Sequence, residues 1–249
     1  MKPFCRAGGA VLMLTVLAGP AMAKCSDAPG PGVDWSGCSK ARLFLANENL
    51  AGSVFSRSLL TLSDFAASSL AGARLDETEV SRTRFESADL TKADFTKALG
   101  WRANFGRAVL TGAMFDTADM SRSNFAQVKA AGASFRKAEL NRSDFSGADL
   151  TGANLSKAEL ARVVFQNAQL TGVDLSYSNL SRARFAGADM TGANLTRAYL
   201  YLTQFAGTDL SGATGLTQQQ IDIACGDAQT QLPAELARPQ HWPCSEEGD

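Results

Sequence analysis

ADLTKADFTK, residues 88–97, is a five-residue unit written twice: a small residue, an acid, a large apolar residue, a threonine and a lysine. A helix repeats its apolar face every 3.6 residues and a strand every 2, so a period of five belongs to neither. Working outward, the same phase continues through ADMSR (118–122), ANLSK (153–157) and ANLTR (193–197). From Leu50 to Leu210 nearly every residue whose number ends in 0 or 5 is Leu, Phe or Met, and the residue two before it is usually Ala, Ser, Thr or Val. Such a pattern predicts a solenoid in which each unit is one short side plus a corner, with the large and the small apolar residues both turned inward.

A longer period says how many sides make a turn. SRTRF at 81, WRANF at 101, SRSNF at 121, NRSDF at 141, ARVVF at 161 and SRARF at 181 repeat every twenty residues. In that phase Phe65, Phe85, Phe105, Phe125, Phe145, Phe165, Phe185 and Phe205 form an unbroken column. A second inward column, ten residues away, mixes Phe55, Phe95, Phe115 and Phe135 with Leu75, Leu155, Leu175 and Leu195. Four sides of five residues close one coil, so equivalent residues stack at about 4.8 Å, the spacing of neighbouring strands. The expected body, residues 45–212, is an all-β, four-sided parallel β-helix of about eight coils and roughly 40 Å.

These units resemble the pentapeptide-repeat family, whose consensus is A-(D/N)-L-x-x. The resemblance spans the whole repeat body and implies that the coil is right-handed. The tail from 213 to 244 is similar to the ending of many bacterial members. The family also implies a second reading of function, because some cytoplasmic members imitate duplex DNA and bind DNA gyrase. The fold by itself specifies hardly any activity.

The two ends are read separately. Residues 1–23 place Lys2 and Arg6 before an apolar run that closes on Ala21-Met22-Ala23, the pattern of a secretory signal peptide cleaved after Ala23. That predicts a periplasmic or secreted protein with no membrane span in the mature form. Removing Lys2 and Arg6 takes 24 basic residues to 22 against 25 acidic ones, a formal charge of −3. No general attraction to nucleic acid follows. Four cysteines remain, Cys25 and Cys38 before the repeats and Cys225 and Cys244 after them. A disulfide needs Cα atoms within about 7 Å, so ends roughly 40 Å apart favour the local pairs 25–38 and 225–244. Segment 24–44 is then an N-terminal cap and 213–249 a C-terminal one. Thr217 and Gln220 predict a capping box, with Gly226 at the end of a short capping helix.

Chemistry is sparse. His241 is the single histidine, and no metal, nucleophile or phosphate-loop motif occurs. No cofactor is expected, and the chain reads as a non-enzyme. Asp119, Glu139 and Glu159 would stack about 5 Å apart, a retaining-glycosidase separation, which leaves a polysaccharide-active enzyme as a third reading. Gly72, Gly112, Gly132, Gly152, Gly172, Gly192 and Gly212 line one corner and predict a turn with positive φ, whereas the arginine corner predicts a different turn. Gly100 interrupts the core, and Leu99 or Trp101 is expected to bulge inward there.

The candidate partner face is the arginine column Arg82, Arg102, Arg122, Arg142, Arg162 and Arg182, with Trp101, Tyr199 and Tyr201 beside it. Glu79, Asp119, Glu139 and Glu159, three residues before the corresponding arginine, would screen it as a solvated ladder. Read as a binding face, it would contact a protein or an anionic envelope polymer, because Arg, Trp and Tyr are enriched at interfaces. The chain itself would be a monomer or an end-to-end dimer.

Overall fold

A computed structural model describes residues 25–244. The expected signal peptide, 1–23, lies outside them. Along one side Asp34, Val54, Arg74, Asp94, Met114, Ser134, Asn154, Asp174, Asn194 and Thr214 pair in parallel, each with the residue twenty positions on. Three more sides start at Ser39, Phe44 and Asn49 and pair in the same way. Pairing therefore begins inside 24–44, the segment expected to be a cap. The body holds about nine coils rather than eight, at about 4.8 Å each.

Each side uses its backbone donors in a fixed scheme. Leu90 N–H donates to Val109 O at 2.8 Å, Val109 N–H back to Ala88 O at 2.9 Å, and Lys92 N–H to Thr111 O at 3.0 Å. Ala93 N–H closes the corner onto Leu90 O at 2.9 Å. One donor per unit is left, that of Thr91, and Asp89 Oδ1 accepts it at 3.0 Å. The same bond recurs from Ser121 to Asp119, Ser146 to Asp144, Ser156 to Asn154 and Ser181 to Asn179. The Asp or Asn before the large apolar residue is there because a two-residue reach to the backbone completes the corner.

All corners share one geometry. Gly72 has φ 66° and Arg82 φ 57°, and both sit third in a turn closed by an N–H to C=O bond three residues back. Positive φ at that place marks a type II turn. The expectation that the arginine corner has a different turn is corrected, because the backbone scheme repeats every five residues whatever the side chain. Gly212, expected to share the positive φ, does not adopt it.

Inside, the phenylalanines stack along the axis and meet edge to face across it. Phe95 and Phe115 are parallel within 3° at 4.7 Å, and Phe95 meets Phe105 at 84° and 5.6 Å. Where the small inward residue is Ser or Thr, its hydroxyl bonds a carbonyl of the preceding coil at most positions, Ser178 turning instead to Leu175 O of its own coil and Ser58 having no partner. Thr83 reaches Leu60 O at 2.8 Å and Ser123 reaches Gly100 O at 2.8 Å.

The C-terminal end is closed. α1 (Gln218–Asp222) has the expected Thr217/Gln220 capping box, and Gln220 Nε2 donates to the carbonyls of Leu195 and Ala198. The ladder runs on through Gln204 with Cys225 and Asp209 with Gln231. Cys225–Cys244 and Cys25–Cys38 are disulfides with Cα separations of 5.5 and 5.6 Å. Gly226 does not end the helix, whose C-cap is Ile223. It makes room instead for Trp242, whose ring occupies the space of a Cβ there. Trp242 Nε1 donates to Ala224 O at 2.7 Å, and His241 Nε2 lies 3.3 Å from the same oxygen.

Candidate functional site

The corner between the second side (Ser39, Leu59, Glu79 onward) and the third side (Phe44, Asp64, Arg84 onward) is the arginine edge. Arg82, Arg102, Arg122, Arg142, Arg162 and Arg182 hold φ between 57° and 61° along it. A left-handed backbone costs a residue with a Cβ about 1–2 kcal/mol, which glycine escapes. The glycine edge, between the fourth and first sides, makes the same turn with Gly72, Gly112, Gly132, Gly152, Gly172 and Gly192 at φ from 63° to 68°. Folding at this corner therefore does not require arginine.

On the remaining sides some cations pair with acids. Arg84 pairs with Asp64 at 2.7 Å and Glu86 at 3.5 Å, Arg136 with Asp116 at 3.1 Å, Lys97 with Glu77 at 3.5 Å and Arg74 with Asp76 at 3.4 Å. Arg107 also pairs with Glu86, whose carboxyl its hydrogen bond holds below the usual glutamate range. Among the described residues, no ion pair joins Arg82, Arg102, Arg122, Arg142 or Arg162 to an acid. Among the described residues Glu79, Asp119, Glu139 and Glu159 form no ion pair with these arginines. Asp119 spends Oδ1 on the Ser121 amide and Glu159 accepts from Asn179 at 2.8 Å, so these acids serve their own side. Neighbouring arginines one coil apart repel by about 1 kcal/mol per pair in water.

Trp101 stays outside the core, half-buried, with the Arg102 guanidinium 4.2 Å and that of Arg82 5.4 Å from its ring centroid. No inward bulge occurs. The gap at Gly100 is filled from the next coil by Met120. At the far end of the edge Tyr199 and Tyr201 stack at 6.3 Å and remain 53% and 44% exposed, uncovered by the C-terminal cap. Sequence reading missed Tyr177, 50% exposed on the next edge, with Lys157 and Arg197 at 5.8 and 5.6 Å from its ring. Its signal was the twenty-residue column Lys137, Lys157, Tyr177, Arg197.

Among the described residues no group of His, Cys, Asp and Glu could hold a metal, and no helix is long and apolar enough to cross a membrane. The stacked acids line an open side, and at least Asp119 is committed to a turn.

Family models describing a pentapeptide repeat region match residues 101–173 and 138–214, and one describing eight copies of the repeat matches 68–99. No curated protein matches the sequence. Among solved structures, HetL, a pentapeptide repeat protein involved in heterocyst differentiation regulation in the cyanobacterium Nostoc sp. strain PCC 7120, is similar at 24% identity and a TM-score of 0.74. It covers 79% of this chain and 90% of its own. QnrB1, a plasmid-mediated fluoroquinolone resistance protein, is 22% identical over 78% of this chain and 92% of its own, with a TM-score of 0.34. Five-residue phase, four paired sides and the match to HetL's fold agree: this chain belongs to the pentapeptide-repeat family and is a right-handed, four-sided parallel β-helix.

Proposed function

We propose that this is an exported, non-enzymatic binding protein that uses its arginine edge to engage a protein or an anionic polymer of the cell envelope. Export is argued from the charged, apolar and Ala-x-Ala order of residues 1–23 and from two disulfides, which persist in oxidising compartments. The observation that carries the binding assignment is the row Arg82–Arg162: five arginines stacked one coil apart with no acid partner among the described residues, at a corner that glycine turns equally well elsewhere, with Trp101 lying against two of them. A DNA-mimicking role is the weaker reading, because this edge is cationic and duplex DNA is anionic.

The deciding experiment is an affinity capture from envelope extracts. It compares the wild type with an Arg122→Gly/Arg142→Gly/Arg162→Gly variant, which the shared turn geometry keeps folded. Loss of a captured protein or polymer with the variant supports the assignment; equal capture by both rejects it. Gyrase inhibition by the purified protein would favour the mimic.

A further inference from the structure

The solenoid's two ends are finished differently. α1 and the disulfide-bound tail cover the C-terminal coil. At the N-terminal end, Ser39, Phe44 and Asn49 have no main-chain hydrogen bond among the described residues. Leu45 N–H donates to Asp64 O and Asp64 N–H to Leu43 O, each at 2.8 Å, which turns the Phe44 amide and carbonyl away from the second coil. The Phe44 side chain is 89% exposed. An open strand edge carrying an exposed aromatic residue is a template for another strand.

The inward slots of this coil say which strand. From Val33 to Ala213 every inward slot holds an apolar residue, Gly, Ser or Thr, with two exceptions, Lys40 and Glu48. They stand four residues to either side of Phe44. Lys40 carries its ammonium 3.9 Å from the Trp35 ring centroid, and Glu48 is exposed. Because each unit turns inward the residues on both sides of its central one, reversing the chain about Phe44 maps inward slots onto inward slots. Leu43 falls opposite Leu45, and Lys40 opposite Glu48.

We propose that this end is an interface between two copies of the chain, joined head to head about a two-fold axis through Phe44. The two Phe44 strands pair antiparallel, and each Lys40 faces the other copy's Glu48, giving two equivalent ion pairs, as an isologous contact requires. A partner of unrelated sequence needs no such symmetry. The same two charges oppose any register that leaves them unpaired on the apolar end.

Sedimentation velocity of the disulfide-intact protein over a concentration series tests this. Wild type is expected to dimerise. Phe44→Asp is expected to be monomeric and to melt as the wild type does at concentrations where the wild type is dissociated, since Phe44 is exposed in the single chain. Lys40→Glu and Glu48→Lys should each weaken the dimer at least about tenfold, and the double exchange should restore it. Phe44→Cys should give a symmetric disulfide-linked dimer, because directly opposed, hydrogen-bonded antiparallel residues have Cα atoms about 5.5 Å apart, within disulfide reach. A wild type that stays monomeric, with residues 1–24 or nothing over this edge, overturns the proposal. So does a dimer indifferent to the charge exchanges, or one that Phe44→Cys fails to cross-link.

Discussion

The thioether of Met120 lies where a side chain at Gly100 would be. A Cβ built at Gly100 meets Met120 Sδ and Cε and approaches Val80 Cγ2 at 3.1 Å. One coil's missing side chain is thus supplied by the next. Gly100→Ala is expected to destabilise by about 1–3 kcal/mol through overpacking, and Met120→Ala in the same chain should recover part of the loss. Chemical denaturation of the two single variants and the double variant measures the coupling.

Phe115 lies fully buried between Phe95 and Phe135, at 4.7 and 4.9 Å. Phe115→Ala should cost about 3–5 kcal/mol. Phe115→Leu should cost less than about 1.5 kcal/mol, since Leu155, Leu175 and Leu195 fill the same column lower down. Denaturant midpoints would separate the two; equal losses would mean that ring stacking rather than volume holds the column.

At the corners the sign reverses. Arg142→Gly removes a side chain from a left-handed backbone at φ 61°, a relief of about 1–2 kcal/mol partly offset by the freer unfolded chain, about 0.4–1 kcal/mol. Stability should hold or rise. Gly152→Ala, at φ 63° with open space around it, should lose about 1 kcal/mol through the backbone alone. A melting comparison of these two variants checks both.

Several aspartates are held below the ordinary value of 3.8. Asp189 is lowered first by the Thr191 amide, Asp209 by the Ser211 side chain and Asp227 by the Gly207 amide. A carboxylate with a depressed folded pKa adds stability that is complete above its unfolded value and lost as pH falls through the folded one. Melting temperature should therefore stay level down to about pH 4.5 and decline below about pH 4. Replacing all three by Asn, which makes the same turn bond at Asn154 and Asn194, should flatten that decline.

Reduction should act locally. Cys225→Ser/Cys244→Ser opens a link across 19 residues, worth about 3 kcal/mol in the chain-entropy account. Hydrogen exchange is expected to rise in residues 215–244 first, with the central coils still protected.

The coil was legible because a period of five leaves few architectures open, and the phenylalanine column fixed four sides. Asp89 and its equivalents were not legible as turn acceptors, because their role is a bond to a backbone amide that leaves no mark in side-chain periodicity. Nor could spacing show that Arg122 has no acid partner among the described residues, since pairing depends on the lateral distance between a corner and the middle of a side. Leu99 or Trp101 was expected to bulge inward because Gly100 left a gap, and only the next coil reveals that Met120 had filled it while Leu99 stays exposed.

The corner scheme has a consequence for length changes. Inward and outward positions repeat every five residues, whereas the arginine row repeats every twenty. Duplicating one unit after Arg102 would keep the alternation and the turn bonds, yet move every later arginine a quarter-turn around the rod and slide Phe columns over Leu columns. Duplicating four units would lengthen the rod by one step, about 4.8 Å, and leave the row straight. The protein can thus be shortened or extended as a ruler is, in whole divisions, without redrawing its markings.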